Sequence, residues 1–147
     1  MTQDQGIVVA VDGSEESDRA LRMACEMAKA FGQTLHVITV VPPPPVYPTG
    51  TIPLVVEPPD VAEAFRKVLV RAQAEATRSG IAKVEQHLLQ GPVVDTIVQF
   101  LEDRKPMLGV LGARGLSAGA RLFLGSVSDG VVHHARCPIL IARAPRL

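Results

Sequence analysis

Tryptophan is absent from this chain, and aromatic residues of any kind make up only 3% of it. Hydrophobic residues still reach 47%, so the core must be aliphatic. Net charge is absent too: 15 Lys and Arg balance 15 Asp and Glu. A dedicated nucleic-acid binder carries a basic excess to neutralise phosphates, which argues against that class and against a nucleic-acid partner. The balance is uneven along the chain. Acids gather near the start (Asp4, Asp12, Glu15, Glu16, Asp18) and arginines near the end (Arg114, Arg121, Arg136, Arg143, Arg146).

Cysteine is scarce. Cys25 falls on an expected helix and Cys137 just before an expected strand, neither with a second Cys or a metal-like spacing nearby. Both read as ordinary intracellular thiols. No apolar run approaches the roughly 20 residues that span a bilayer, and the first residues lack a signal peptide's basic and apolar regions. The expectation is a soluble, cytoplasmic protein without a membrane partner.

What the chain does have is alternation. Its 147 residues suit one domain, 1–147, long enough to bury a real core. Residues 6–11 form a continuous apolar run, the mark of a strand buried on both faces. Ser14 is a good helix N-cap, Glu15 and Glu16 suit the positive helix end, and Gly32 closes that helix. A second strand spans residues 34–41. Residues 42–60 are rich in Pro, Val and Thr and read as a long excursion, a lid or a mobile flap. Asp60 is placed to cap a helix over residues 61–78 that turns Ala64, Val68, Ala72 and Ala76 inward. A weaker, alternating strand covers residues 84–90, and a helix from Gly91-Pro92 to Glu102 follows. Strands at residues 107–111 and 139–142 flank a last helix, residues 126–135.

Five strands alternating with four helices require right-handed crossovers, a parallel sheet and helices on both faces. Ligands of such sheets sit beyond the strand carboxyl ends, where the strand order reverses. If the first and fourth strands are neighbours there, Asp12 faces the loop that follows the fourth strand.

That loop is the most informative stretch. Gly112-Ala113-Arg114-Gly115, nine residues, then Gly125-Ser126-Val127-Ser128 lie between a strand ending at Leu111 and a helix start. Glycines let backbone approach an anion closely, Ser126 is placed to cap the helix, and free N–H groups of its first turn point at an arriving anion. The bland alternative makes Gly112, Gly115 and Gly125 turn residues only. The loop is neither a Walker loop, lacking Lys-Ser or Lys-Thr, nor the G-x-G-x-x-G dinucleotide fingerprint. Arg114 and Arg121 flank it. Arg114 is a candidate for bidentate phosphate contact, whereas Arg121 reads as a solvated surface residue.

Together these segments resemble the universal stress protein family over nearly the whole chain. The carriers are residues 9–14 (Val-Ala-Val-Asp-Gly-Ser), Leu35-His36-Val37-Ile38, Gly91-Pro92, the G-x2-G-x9-G-Ser loop and Cys137-Pro138-Ile139-Leu140-Ile141. The loop spacing points to the nucleotide-binding branch. The resemblance implies a Rossmann-like open parallel five-stranded sheet, order 3-2-1-4-5, and a homodimer through the final strand, Ile139 to Ala142. It implies ATP, or AMP or ADP, as ligand, with Mg as a companion ion. Ala10 and Asp12 would lie at the adenosine end, and Val37 would offer backbone groups to adenine. Leu111, Gly112, Gly115, Gly125, Ser126 and Val127 would line the ribose and phosphates. The chain departs from the family pattern at Ala113, where a hydroxyl residue is usual, at Met107, where an acid is common, and at Gly109, expected to leave a slot in the core.

Catalysis is weakly supported. Asp12 and Asp129 are the only acids expected near the site, and no Walker-type lysine is present, so at most slow ATP hydrolysis follows. His36, on a strand, and His133 and His134, adjacent on a helix, read as packed or solvated side chains and not as metal ligands. Two classes stay open: a nucleotide-binding stress or signalling module, and a dimeric interaction module with a vestigial or cyclic-AMP-preferring site. An adenylating enzyme is disfavoured, because its Ser-Gly-Gly loop and His-x-Gly-His motif are missing. A phosphoacceptor receiver is disfavoured because the first strand lacks paired acids.

Overall fold

The structure is a computed structural model that describes residues 3–55, 60–114 and 124–145. β1 (Ile7–Ala10) is wholly apolar. The chain then turns into α1 (Glu15–Phe31), where the Ser14 side chain accepts the N–H of Ser17 and Gly32, at φ 63°, ends the helix. Ala20, Leu21, Ala24 and Ala28 recur at helical spacing and form its buried stripe. β2 (Leu35–Val41) is buried at every position, as a strand covered on both faces must be.

Residues 42–60 are not a structureless excursion. β3 (Val46–Thr49) and β4 (Ile52–Val55) pair antiparallel around Gly50, at φ 65°. Thr49 faces Ile52 at the turn and Pro48 faces Pro53. With the turn-closing pair hydrogen-bonded, alternation puts both prolines where no N–H is demanded, so their missing donors cost the ladder nothing. Reading prolines as ladder breakers hid this hairpin.

α2 (Val61–Arg78) follows, but Asp60 makes no side-chain cap bond to it, its backbone lying at φ −112°, ψ 4° rather than in the extended region a cap adopts. The inward face also differs: Leu69, Ala72 and Ala76 are buried, Val68 packs beside them and Ala64 is exposed. β5 (Val84–Gln90), α3 (Val93–Arg104), β6 (Leu108–Gly112), α4 (Ser126–His134) and β7 (Ile139–Ala142) complete the chain. Gly109 in β6 leaves no slot: a Cβ there would come within 2.9 Å of Ile139 Cδ1 and 3.3 Å of Leu101 Cδ2.

The five longer-range strands form one parallel sheet in the order β5-β2-β1-β6-β7, which is 3-2-1-4-5 once the hairpin is set aside. Successive strand residues face opposite sides. Ile7, Val9, Leu35 and Val37 pack under α1 and α2, while Val8, Ile38, Val40 and Leu111 pack under α3 and α4. The strand order reverses between β1 and β6. Right-handed crossovers running in opposite directions from that point place the two helix pairs on opposite faces.

Candidate functional site

β1 and β6 lie side by side, Ile7 beside Leu108 and Val9 beside Val110. Their carboxyl ends therefore open the crevice that a reversal of strand order creates. Ala10 ends β1, half-buried, and Asp12 sits just beyond it. Asp12 Oδ1 accepts the N–H of Ser14 at 2.9 Å, and its own N–H lies 3.3 Å from Ser17 Oγ. Asp12 is thus locked to the start of α1. Across the crevice, Leu111 is buried in the α3/α4 core and Gly112 ends β6 beside Ala142.

The loop mouth is closed by one carbonyl. Ala113 O accepts the N–H of Gly125 at 2.7 Å and the hydroxyl of Ser128 at 2.8 Å. Ser128 Oγ also lies 3.1 Å from Gly125 O. The end of β6 and the start of α4 are therefore held together at one carbonyl. Gly125 suits this crossing, since a Cβ on it would lie 3.2 Å from Arg114 Cα.

Ser126 is not the N-cap of α4. Gly125 holds that position, without a side-chain bond to the helix, and the exposed Ser126 is the first helical residue. Two residues on, Ser128 spends its hydroxyl on the loop mouth. Among the described residues no side chain caps the first turn of α4, whereas α1 is capped by Ser14. Uncapped first-turn N–H groups favour an anion.

Gly112 is required by packing as well. A Cβ there would fall 2.7 Å from the carbonyl carbon of Glu16, because the first turn of α1 crosses β6 at that point. The crossing brings Glu16 to Arg114, Oε1 to guanidinium nitrogen 3.4 Å, with side chains 13% and 22% exposed. The other oxygen, Glu16 Oε2, is buried and has no hydrogen-bond partner among the described residues. Glu16 is the acid nearest this crevice that sequence reading missed, since an acid in a first helical turn is fully explained by the helix dipole. Asp129, expected near the site, is mostly exposed and engages His133 at 3.5 Å.

Of the residues singled out in the sequence, Ala10 ends β1 and Gly112 ends β6, Gly125 lies against Ala113 and Arg114, and Ser126 and Val127 begin α4. Val37 is fully buried in β2, with Val9 on one side and Gln86 on the other. Gly115 and Arg121 lie outside the described residues.

Residues 5–143 match the family model described as the universal stress protein family. The chain belongs to that family. A universal stress protein of Thermus aquaticus is 38% identical over 141 residues, covering 93% of this chain and 97% of the relative. Among solved structures, a universal stress protein in complex with cAMP superposes with a TM-score of 0.72 at 28% identity, covering 96% of this chain and 98% of that one. The universal stress protein of Archaeoglobus fulgidus in complex with dAMP does so with a TM-score of 0.71 at 25% identity, covering 97% and 99%. For this universal stress protein, the family frame accounts for the strand order. No helix of the described residues is long and apolar enough to cross a membrane.

Proposed function

We propose that this universal stress protein is an adenine-nucleotide-binding stress-response or signalling module, taking ATP, AMP or ADP between the carboxyl ends of β1 and β6. The observation that carries the reading is the loop mouth. Ala113 O ties Gly125 and Ser128 together, and among the described residues no side chain caps the start of α4. Backbone N–H groups at a helix start, aided by the dipole, favour phosphate. The cAMP and dAMP bound by structural relatives support adenosine as the remainder of the ligand.

In this reading Ala10 and Asp12 meet the nucleoside, Asp12 pre-set by its bond to Ser14. Gly112, Gly125, Ser126 and Val127 shape the phosphate seat, and Gly115 joins them on the strength of loop spacing alone. Arg114 exchanges part of its contact with Glu16 for a phosphate oxygen. The orphaned Glu16 Oε2 is a hard oxygen donor suited to an accompanying Mg ion. Among the described residues no group is positioned as an efficient general base, and the reading takes hydrolysis as slow at most.

Calorimetric titration of ligand-free protein with ATP, AMP, cyclic AMP and GTP tests this. Heat is expected with adenine nucleotides and little with GTP; silence with every adenine nucleotide sinks the proposal. Turnover near the enzyme median of about 10 per second would replace the module by an enzyme.

A further inference from the structure

β2 and β5 run parallel with His36 beside Glu85 and Ile38 beside His87. Residues two apart on a strand share a face, so Glu85 and His87 both project to the α3 side, where His36 points. Three ligand atoms converge there. His36 Nδ1 lies 3.1 Å from His87 Nε2 and 3.3 Å from Glu85 Oε2, and His87 Nε2 lies 4.0 Å from that oxygen. Zinc bonds of about 2.0–2.1 Å in tetrahedral geometry hold ligand atoms about 3.3–3.4 Å apart. We propose that His36, Glu85 and His87 form a binding site for a divalent transition-metal ion, zinc by preference, with a fourth position open to water.

The surroundings hold two of the three ligands ready. His36 is 7% exposed and its ring packs against Gly6, where a Cβ would come within 2.8 Å of Cδ2 and 2.9 Å of Nε2. Gly6 has φ +80° as well, so both its backbone and the ring demand glycine. The His87 ring is braced by Phe100 of α3, centroids 5.0 Å apart. Burial first, and the Arg104 guanidinium second, hold both imidazoles below their ordinary pKa.

Two cations attend the carboxylate. Lys83 Nζ lies 3.4 Å from Glu85 Oε1 and Arg104 lies 4.0 Å from Oε2, its guanidinium over Phe100. Both side chains are well exposed on long stems and can swing clear as the ion enters past the half-exposed Glu85. The site lies near the amino ends of β2 and β5, whereas the nucleotide crevice lies at strand carboxyl ends, so the two readings stand or fall separately. The donor set of two histidines and one carboxylate with an open position is that of metal centres which bind a water molecule.

The test is zinc titration of metal-free full-length protein by calorimetry, with cobalt(II) absorption as a coordination probe. One zinc per chain, a rise in melting temperature and intense tetrahedral cobalt bands are expected. His87→Asn and Glu85→Gln change side chains that reach the surface, and each should weaken binding at least about tenfold, since even outer-shell partners are worth that much. The double change His133→Asn, His134→Asn should leave stoichiometry and affinity intact. Less than one zinc per wild-type chain, or unchanged binding in folded His87→Asn and Glu85→Gln proteins, overturns the proposal.

Discussion

A side chain at residue 112 would collide with the backbone of Glu16, whereas one at residue 126 has open solvent before it. The two positions therefore fail differently on substitution. Gly112→Ala forces α1 off β6 and should cost about 1–3 kcal/mol of stability, the usual range for overpacking. It should lower the urea midpoint before any ligand is added. Ser126→Ala removes a hydroxyl that caps nothing, so thermal melting should leave Tm unchanged while nucleotide affinity drops by about 1 kcal/mol. Ser128→Ala behaves oppositely. Its buried hydroxyl bridges Ala113 O and Gly125 O, and its loss should lower stability by about 1 kcal/mol and loosen the loop mouth. A Tm loss with Ser126→Ala and none with Ser128→Ala would reverse these roles.

Elements are joined here by a few polar clips. Before β1, the Asp4 carboxylate accepts from the N–H and hydroxyl of Thr34 and from Gly6 N, tying the chain start to β2. The Thr34 hydroxyl, then its N–H, hold the Asp4 carboxyl below its ordinary value. A folded pKa below the unfolded one adds stability above the unfolded value, near 3.9, and that stability is lost as pH falls through the folded pKa. Asp4→Asn should therefore be less stable than wild type at neutral pH, and the gap should close below about pH 3.9 in urea titrations. A gap independent of pH would mean that the charge plays no part. At the far end of α3, Lys105 takes the left-handed conformation, φ 48°, to give its N–H to Leu101 O. Lys105→Gly should relieve that strain and raise Tm modestly, since the conformation costs a non-glycine residue about 1–2 kcal/mol and glycine's extra chain entropy offsets part of the gain.

At the scale of the molecule, β5 and β7 are the sheet edges. β7 carries no charge over Ile139–Ala142 and pairs only with β6 among the described strands. An unpaired apolar edge invites a copy of itself about a twofold axis. We propose that the homodimer implied by the family resemblance uses that edge, and Leu140→Lys should shift it to monomer. Sedimentation at micromolar concentration decides: a wild-type mass of one chain, 15.7 kDa, removes this interface. The edge side chains are half-buried in one protomer, so circular dichroism of the variant must accompany the mass.

The alternation of strands and helices was legible in the amino-acid sequence because burial is periodic. The apolar runs of β1 and β2, and the bounds of α2, β5 and β7, follow from patterns that each segment carries alone. The start of α4 at Ser126 was legible too, from the glycine and serine residues that precede an apolar helical pattern. Lateral placement was not. Which strand lies beside which, and in what register, depends on packing between segments distant in the chain. That placement brought Glu16 to Arg114 across 98 residues, and His36 to His87 across 51. It put Val37 inside the sheet and passed the helix cap from Ser126 to Gly125, while Ser128 closed the loop. Side-chain periodicity records which face is buried, and only the folded chain decides what each buried face meets.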